Sequence, residues 1–420
     1  MIIIDKYKHT FLNIFLLFTI FIFSIGLEYS RFLDFRTEEF FSLEAKLINI
    51  YKKDNFDIYK FQGKNFDFFT KVRRVKVEIN EENYKKLDSF YIIISSKNIN
   101  FLEYLKGFFT TNYYLEKIET KVQNSFLNIE NIILDNIRKN HTSSDIIELF
   151  DALFLAIPVN VNLREVFTDY SISHLIALSG FHLVVLSFSI YWIIYYFYSY
   201  FHQKYFPFRN KKYDIILFSI AVLFYYLLLT NIVPSLLRAF VLFCLGIFLL
   251  RSNIKILSYT TLLYTFLIVI SLFPKYIFSI GFWFSTMAVF YIYLFMQYFK
   301  TMNKWLMLLF FNIWMFLIFN PVVHYFFYQT ALEQFYSILL TIFFTIFYPL
   351  EIVAHIFMFA NIFDGLLESF LNSKVEIYMI KTPLWLFILY IIYSFFSIFN
   401  KRAFVILNIL MIGFNLYLFL

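Results

Sequence analysis

Three short stretches hold the residues whose types and spacing could do chemistry. In Asp169–Trp192, DYSISHLIALSGFHLVVLSFSIYW, His174, Ser179, Gly180 and His182 stand at the mouth of an apolar run. On one continuous helix the two histidines would lie about 12 Å apart along the axis and roughly 80° apart around it, too far to clamp one metal ion. Ser179-Gly180 is a pair of small residues at which another helix, or a broken helix end, can approach closely. The plain alternative is an interfacial helix start with hydrated histidines. In VPSLLRAFVLF (233–243), Arg238 sits about one turn inside an apolar run, near Ser235. A central arginine costs about 2.5–3.5 kcal/mol on insertion scales, so it must face water or a partner. It either faces a hydrated path for an anion or forms a structural ion pair, with Asp364 or Glu333 as candidates. The third stretch, FPKYIFSIGFWFSTMAVFYI (273–292), carries Ser279, Gly281 and Ser285. Glu351 and His355 in YPLEIVAHI share a helix face, a spacing that more often serves structure than catalysis.

The elements that must position these residues are membrane helices. The chain of 420 residues is 60% hydrophobic, with eight Gly and seven Pro. Soluble proteins average about 45–50% apolar residues, so a polytopic membrane protein is expected. Its 24% aromatic content goes with abundant Ile, Asn and Lys and scarce Arg, a compositional drift that says little about function. The net charge of +7 fits membrane topology as readily as nucleic acid. The one cysteine, Cys244, excludes an intrachain disulfide. There is no GxxxxGK[ST] loop, no HxHxDH string and no Cys/His cluster, so neither an ATPase, a metallo-hydrolase nor any cofactor is expected.

Along the chain, residues 1–27 read as an anchor. Ser24 and Gly26 would permit cleavage, but a retained span with a cytoplasmic amino terminus is the reading taken. Residues 28–100 hold alternating, β-branched and aromatic segments at 41–51, 56–63, 66–80 and 90–96, which predict a small β-barrel, OB-like, on the periplasmic side. Phe68, Phe69, Lys71, Arg73, Arg74 and Lys76 interleave aromatic and basic residues, a mixture that can stack bases and neutralise phosphates; for any one of them a solvated strand face serves as well. Residues 101–170 turn to helical spacing and form a connector. From 171 to 420 come ten further apolar runs, making eleven spans. The basic clusters at 204–212, 251–255, 300–304 and 401–402 fall on one side of this alternation, which makes them cytoplasmic and the carboxyl terminus periplasmic. The run 352–371 is the weakest, because His355, Asn361, Asp364 and Glu368 are costly in lipid; a re-entrant helix would suit it.

HLIALSGFH is similar to the His-Leu-x-Ala-x-Ser-Gly-x-His signature of the ComEC family of DNA-uptake channels, through His174, Leu175, Ala177, Ser179, Gly180 and His182. Ser235 with the Arg238-Ala239 pair resembles the family's second string. Pro274, Ser279, Gly281, Phe282, Ser285, Ala288 and Val289 resemble the third, with Phe284 for a usual Leu and Trp283 where Gln is common. YPLEIVAHI is a looser likeness. The resemblance implies an inner-membrane channel that passes single-stranded DNA into the cytoplasm during natural transformation. It further implies a periplasmic DNA-receptor protein and a helicase-like cytoplasmic ATPase as partners, and leaves room for a homo-oligomer in the lipid bilayer. None of the metal ligands of the metallo-β-lactamase-like domain of many members is present, so no nuclease and no enzyme activity is expected.

On this reading His174, Ser179, Gly180, His182, Ser235, Arg238, Ser279, Gly281 and Ser285 line or shape the DNA path, while Phe68, Lys71, Arg73, Arg74 and Lys76 bind the strand in the OB-like domain. Two other classes compete. An intramembrane serine hydrolase would use Ser179 with His324 or His355, although Ala177 stands where a rhomboid-type motif has Gly. A small-solute transporter would show a repeat between halves, and none is visible.

Overall fold

The chain opens with one uninterrupted helix, α1 (Ile2–Arg36). Thirty-five residues at 1.5 Å each make a rod of about 52 Å, well beyond the ~30 Å of a hydrocarbon core. The helix therefore continues past the expected boundary at residue 27. An ion pair between Arg31 and Glu28 (2.8 Å) supports the extra turns, and Phe32 and Phe35 bury themselves in the following domain. The computed structural model describes residues 2–52, 56–64, 66–73, 88–118, 125–250, 258–373 and 375–420.

Strands β1 (Phe40–Lys52), β2 (Phe56–Gly63), β3 (Asp67–Arg73) and β4 (Ser89–Ser95) match the alternating segments of the sequence; residues 74–80, expected to extend β3, lie outside the described residues. A short helix, α2 (Phe101–Lys106), precedes β5 (Phe108–Thr110) and β6 (Asn112–Lys117). The sheet order is β5-β3-β2-β1-β4-β6. β3 pairs with β5 in parallel, and the other neighbours pair antiparallel. Because only Thr111 separates β5 from β6, one extended segment lies on both edges, and the sheet curls round to meet it. Its interior is aromatic, with Phe35, Phe61, Phe66, Phe68, Phe90, Tyr104 and Phe108 in one cluster.

The helical connector expected over 101–170 begins later, because 108–117 supply β5 and β6 to the sheet; its helices are α3 (Ser125–Asn140), α4 (Ser144–Leu155), α5 (Val161–Asp169) and the single turn α6 (Ser173–Ile176). Lys46 of β1 approaches Glu130 of α3 at 4.0 Å, so the connector adjoins the sheet. Then come the apolar helices α7 (Gly180–Tyr205), α8 (Lys211–Leu229), α9 (Pro234–Leu250), α10 (Tyr259–Leu272), α11 (Ile280–Phe299), α12 (Lys304–Phe326), α13 (Tyr336–Ile356), a short α14 (Asp364–Leu371), α15 (Leu384–Phe396) and α16 (Lys401–Phe419). Among the described residues, seven helices are long and apolar enough to cross a membrane, and α9, α10 and α15 are shorter apolar helices.

The ninth expected span, 352–371, is not one helix. α13 ends at Ile356, the chain turns through Met358 at φ 62° and a 3₁₀ turn at Ala360–Phe363, and α14 has eight residues. Such a helix is about 12 Å long and cannot span. Two polar residues of this stretch, His355 and Asp364, go with the break, since both meet His141 of the connector. α13 buries Phe344, Phe347 and Tyr348 against connector residues such as Phe150 and Phe167, while Leu339, Phe343, Ile346 and Leu350 stay exposed.

Contacts sort the helix ends into two sides. On the side of the sheet, Ser271 at the end of α10 donates to the Leu17 carbonyl, and Lys106 lies 5.0 Å from the Phe278 ring. Tyr226 at the end of α8 donates to Phe154 of the connector at 2.8 Å. On the other side, Tyr298 and Gln297 at the end of α11 donate to the carbonyls of Ser397 and Ile398. Between the layers, hydrogen bonds such as Asn320 to Asn415 (2.6 Å) and Trp314 to Asn408 (2.9 Å) join α12 to α16, the polar glue usual where lipid removes the hydrophobic drive for helix association.

Phe35, 1% exposed, links the first helix to the sheet. Phe35→Ala should destabilise the sheet by about 3–5 kcal/mol. Thermal melts of the purified chain should show the sheet unfolding earlier; an unchanged melt would mean that α1 and the sheet are energetically separate.

Candidate functional site

The site is built on a helix that breaks and restarts. α6 stops at Ile176, and Ser179, with φ −136° and ψ 179°, caps α7. The Ser179 Oγ accepts the Phe181 N–H at 3.3 Å. His182 Nδ1 accepts the Ser179 N–H at 3.2 Å, closing a capping box in which histidine stands where Glu or Gln is usual. His174 and His182 therefore do not share one continuous helix. Because its Nδ1 is an acceptor here, His182 carries its proton on Nε2, which is buried without a partner among the described residues. The Tyr348 ring of α13 packs against His182 at 4.6 Å, edge to face.

Entry into α9 is strained. Asn231 and Ile232 both lie at φ 53°, a left-handed conformation that is an outlier for a β-branched residue. Two bonds hold it: the Ile232 N–H donates to Leu227 O at 3.0 Å, and the Tyr276 hydroxyl donates to Ile232 O at 2.6 Å. Pro234 then starts α9, where its missing N–H is no loss. Ser235 Oγ donates back to Leu178 O at 2.5 Å, tying α9 to the broken segment before α7.

These constraints press α7 against α9. A Cβ on Gly180 would stand 3.3 Å from Ala239 Cβ and 3.7 Å from Arg238 Nη2, so α7 and α9 approach closely at Gly180, and a side chain there would press on Ala239. Arg238 is 3% exposed. Its Nε donates to Ser285 Oγ of α11 at 2.9 Å, while Nη1 is buried with no partner among the described residues. Neither expected ion-pair partner serves it among those residues: Asp364 is held by His141 at 2.8 Å, and Glu333 forms no ion pair with it. A guanidinium carrying its full charge with one hydroxyl for company is equipped to meet an anion or water.

Six expected path residues thus meet: Ser179, Gly180, His182, Ser235, Arg238 and Ser285. Three lie apart. His174 donates from Nδ1 to Ser171 O at 3.0 Å and faces Thr341 of α13. Ser279 caps α11 by accepting the Phe282 N–H, and Gly281 is exposed with nothing nearer than 3.9 Å. Trp283 keeps a donor where Gln is common, giving its indole N–H to Ile277 O at 2.8 Å. Ser179 meets His182 of its own helix rather than His324 or His355, the partners expected of a serine hydrolase, and its Oγ also accepts the Phe181 N–H in the cap. Tyr276 and Tyr348 contribute to the site and were not foreseen; nothing separates them from the many other aromatic residues of these helices.

On the sheet, strand alternation corrects one expectation. Phe68 is fully buried in the aromatic core and cannot stack on a base. Its neighbour Phe69 stacks on Phe109 at 4.9 Å, with Lys60 Nζ 5.8 Å from the Phe69 ring. Lys71 is exposed and lies 5.3 Å from the Phe56 ring. Arg73 closes β3 opposite Phe56, and Arg74 and Lys76 lie outside the described residues.

A family model described as Competence protein matches residues 159–404, more than half of the chain, and takes in the whole Arg238 cluster. No curated protein and no solved structure matches the chain.

Gly180→Val places two methyl groups where Ala239 already sits. A loss of about 1–3 kcal/mol in thermal stability is expected, with part of it returned by Ala239→Gly in the double variant. Strict additivity of the two changes would show that α7 and α9 are not in contact at this point.

Proposed function

The chain belongs to the ComEC family of competence proteins, and from that premise we propose that it passes single-stranded DNA across the inner membrane into the cytoplasm. The family places the chain in DNA uptake, and the apolar helices place it in a membrane. The observation that carries the finer reading is the convergence of three separate segments on Arg238, whose Nη1 has no partner among the described residues. A nucleotide chain bears one charge per phosphate and crosses about 30 Å of hydrocarbon only along a hydrated, partly cationic path. Arg238 supplies the charge, Ser285 fixes its plane, and Ser179, His182 and Ser235 hold the helix ends that frame it.

The reading gives nine crossings, α1, α7 to α12, α15 and α16, with α13 lying along the periplasmic face. It rests on the packing of α13 against the connector and the head of α7 along its second half. Dropping two of the eleven expected spans keeps the parity, so the carboxyl terminus stays periplasmic. The sheet has the pairing of an OB-like barrel, with β1 shared by β2 and β4 and a parallel β3–β5 closure, which supports its role as the receiver of the strand. Phe69, Phe109, Lys60 and Lys71 replace Phe68 as its contact face, beside Arg73, Arg74 and Lys76. Pulling force comes from a cytoplasmic helicase-like ATPase, and a periplasmic receptor protein delivers the DNA.

Arg238→Leu should insert normally and abolish cytoplasmic entry of labelled DNA while periplasmic uptake continues. Arg238→Lys should keep part of the activity, because the charge remains and the planar fork is lost. Transformation frequency with membrane immunoblots reads both; normal transformation by Arg238→Leu at normal protein level would take the arginine off the path. For the sheet, Lys71→Ala in the full chain should flatten the salt dependence of single-strand binding by about 0.7 in log–log slope, one phosphate's worth. An unchanged slope would leave Lys71 merely solvated.

A further inference from the structure

Away from Arg238, four titratable groups from three elements meet in the seam between the connector and the membrane helices. His141, in the link between α3 and α4, places Nδ1 2.8 Å from Asp364 Oδ1 at the start of α14. Its Nε2 lies 3.1 Å from Nε2 of His355 on α13. His355 Nδ1 faces its own helix, 2.8 Å from Glu351 O and 3.4 Å from Glu351 Oε2. Glu351 is 0% exposed, and its carboxylate accepts no hydrogen bond among the described residues. The wall is apolar: Phe150 stacks on His141 at 4.6 Å, and Phe154 meets His355 at 4.9 Å. The other close polar neighbours, Asn136 and Asn140, do not titrate; Asn136 donates to His355 O and Asn140 accepts from the Ala360 N–H.

Counting protons gives the consequence. The row Asp364–His141–His355–Glu351 has three links, and each needs one hydrogen between two acceptors. Two neutral imidazoles between two ionised carboxylates carry only two. Burial pulls His141 below the ordinary imidazole range, against the opposing pull of Asp364, so His141 stays neutral, donating to Asp364 and accepting from His355. The missing hydrogen then belongs between His355 Nδ1 and Glu351, whose carbonyl at 2.8 Å and carboxylate at 3.4 Å would otherwise both turn lone pairs on a nitrogen lone pair, with the carboxylate bare in an apolar wall.

We propose that Glu351 and His355 form a buried proton-binding site, wired through His141 to the partly exposed Asp364, which fastens the connector helices to α13 and α14 when the proton is bound. The row runs from a carboxylate at the rim to one with no exposure, which is the layout needed to fill such a site from the aqueous side. Since the fastened state holds one proton more than the released state, fastening strengthens as pH falls and weakens as pH rises. The inference stands whatever substrate crosses the membrane.

The test uses the full chain in lipid nanodiscs with Cys244→Ser, spin labels at Lys139→Cys and Ser369→Cys, and distance distributions between about pH 5 and 8. The ratio of short to long distances should fall with rising pH, by up to tenfold per unit for one proton. Glu351→Gln keeps the shape and gives His355 a permanent hydrogen donor, so its short distance should persist across the range. Infrared spectra of the unlabelled chain should show a protonated-carboxyl band that changes with pH and is lost in Glu351→Gln, a reading that does not depend on the labels. A pH-independent ratio in the parent, or the same pH dependence in Glu351→Gln, overturns the proposal. So does release by a chelator with recovery on adding zinc, which would mean that the two imidazoles hold a metal and no shared proton.

Discussion

A positive charge inside a layer of apolar helices is the constraint around which this protein is arranged. Arg238 has one hydrogen-bond partner among the described residues and sits almost wholly out of solvent. Replacing that single hydroxyl with a carboxylate would make the arginine cheaper to bury, but it would also cancel the positive field at this point. The surroundings instead hold the arginine by shape. α7 packs closely on α9 at Gly180, which has no side chain to press on Ala239, and α9 starts just after Ile232, held in a left-handed turn. Strain of this kind costs of order 1–3 kcal/mol per residue and persists only where the neighbouring structure over-determines it. Here Tyr276 and Ser235 do so, each with a short bond to a backbone carbonyl.

The same economy governs the helix ends. A chain with this much apolar surface cannot rely on hydrophobic contrast to sort its helices in lipid, so pairing falls to a few polar groups at fixed depths. Tyr291 with Ser394, Tyr390 with the Ile318 carbonyl and Asn415 with Asn320 each lock two helices at one level. None is charged, which leaves the charge at Arg238 undisturbed by close rivals within the bundle.

Much of this was legible in the residues. Period-two alternation located four strands closely, because a curled sheet with one wet face enforces it. The same alternation, counted one residue further, would have put Phe69 outside and Phe68 inside; composition alone could not choose between them. Residues from all three polar stretches meet at Arg238, as buried polar groups among apolar helices seek one another. His174, Ser279 and Gly281 stayed apart, since each completes a local turn or helix start and has nothing left to offer the cluster. What hydropathy could not reveal was the break after Ile356, where α13 ends and a 3₁₀ turn leads into the short α14. A run of the right length reads as a span whether or not its polar residues hold one helix together. The chain turns there with His355 and Asp364 both on His141 of the connector.

The unbroken first helix has a mechanical meaning. A domain hung on a flexible tether swivels freely; this one is carried on a stiff shaft whose tip is cemented into its aromatic interior. The shaft bears on α10 where Ser271 meets Leu17, which acts as a fulcrum. From there to Phe35 is about 27 Å of helix, so on this shaft alone a 10° tilt would swing the sheet by about 5 Å. The sheet is held at more than this one shaft, since Lys106 on Phe278 and Lys46 near Glu130 tie it to the helices as well, so α1 fixes the sheet's distance from the membrane while those contacts fix its orientation.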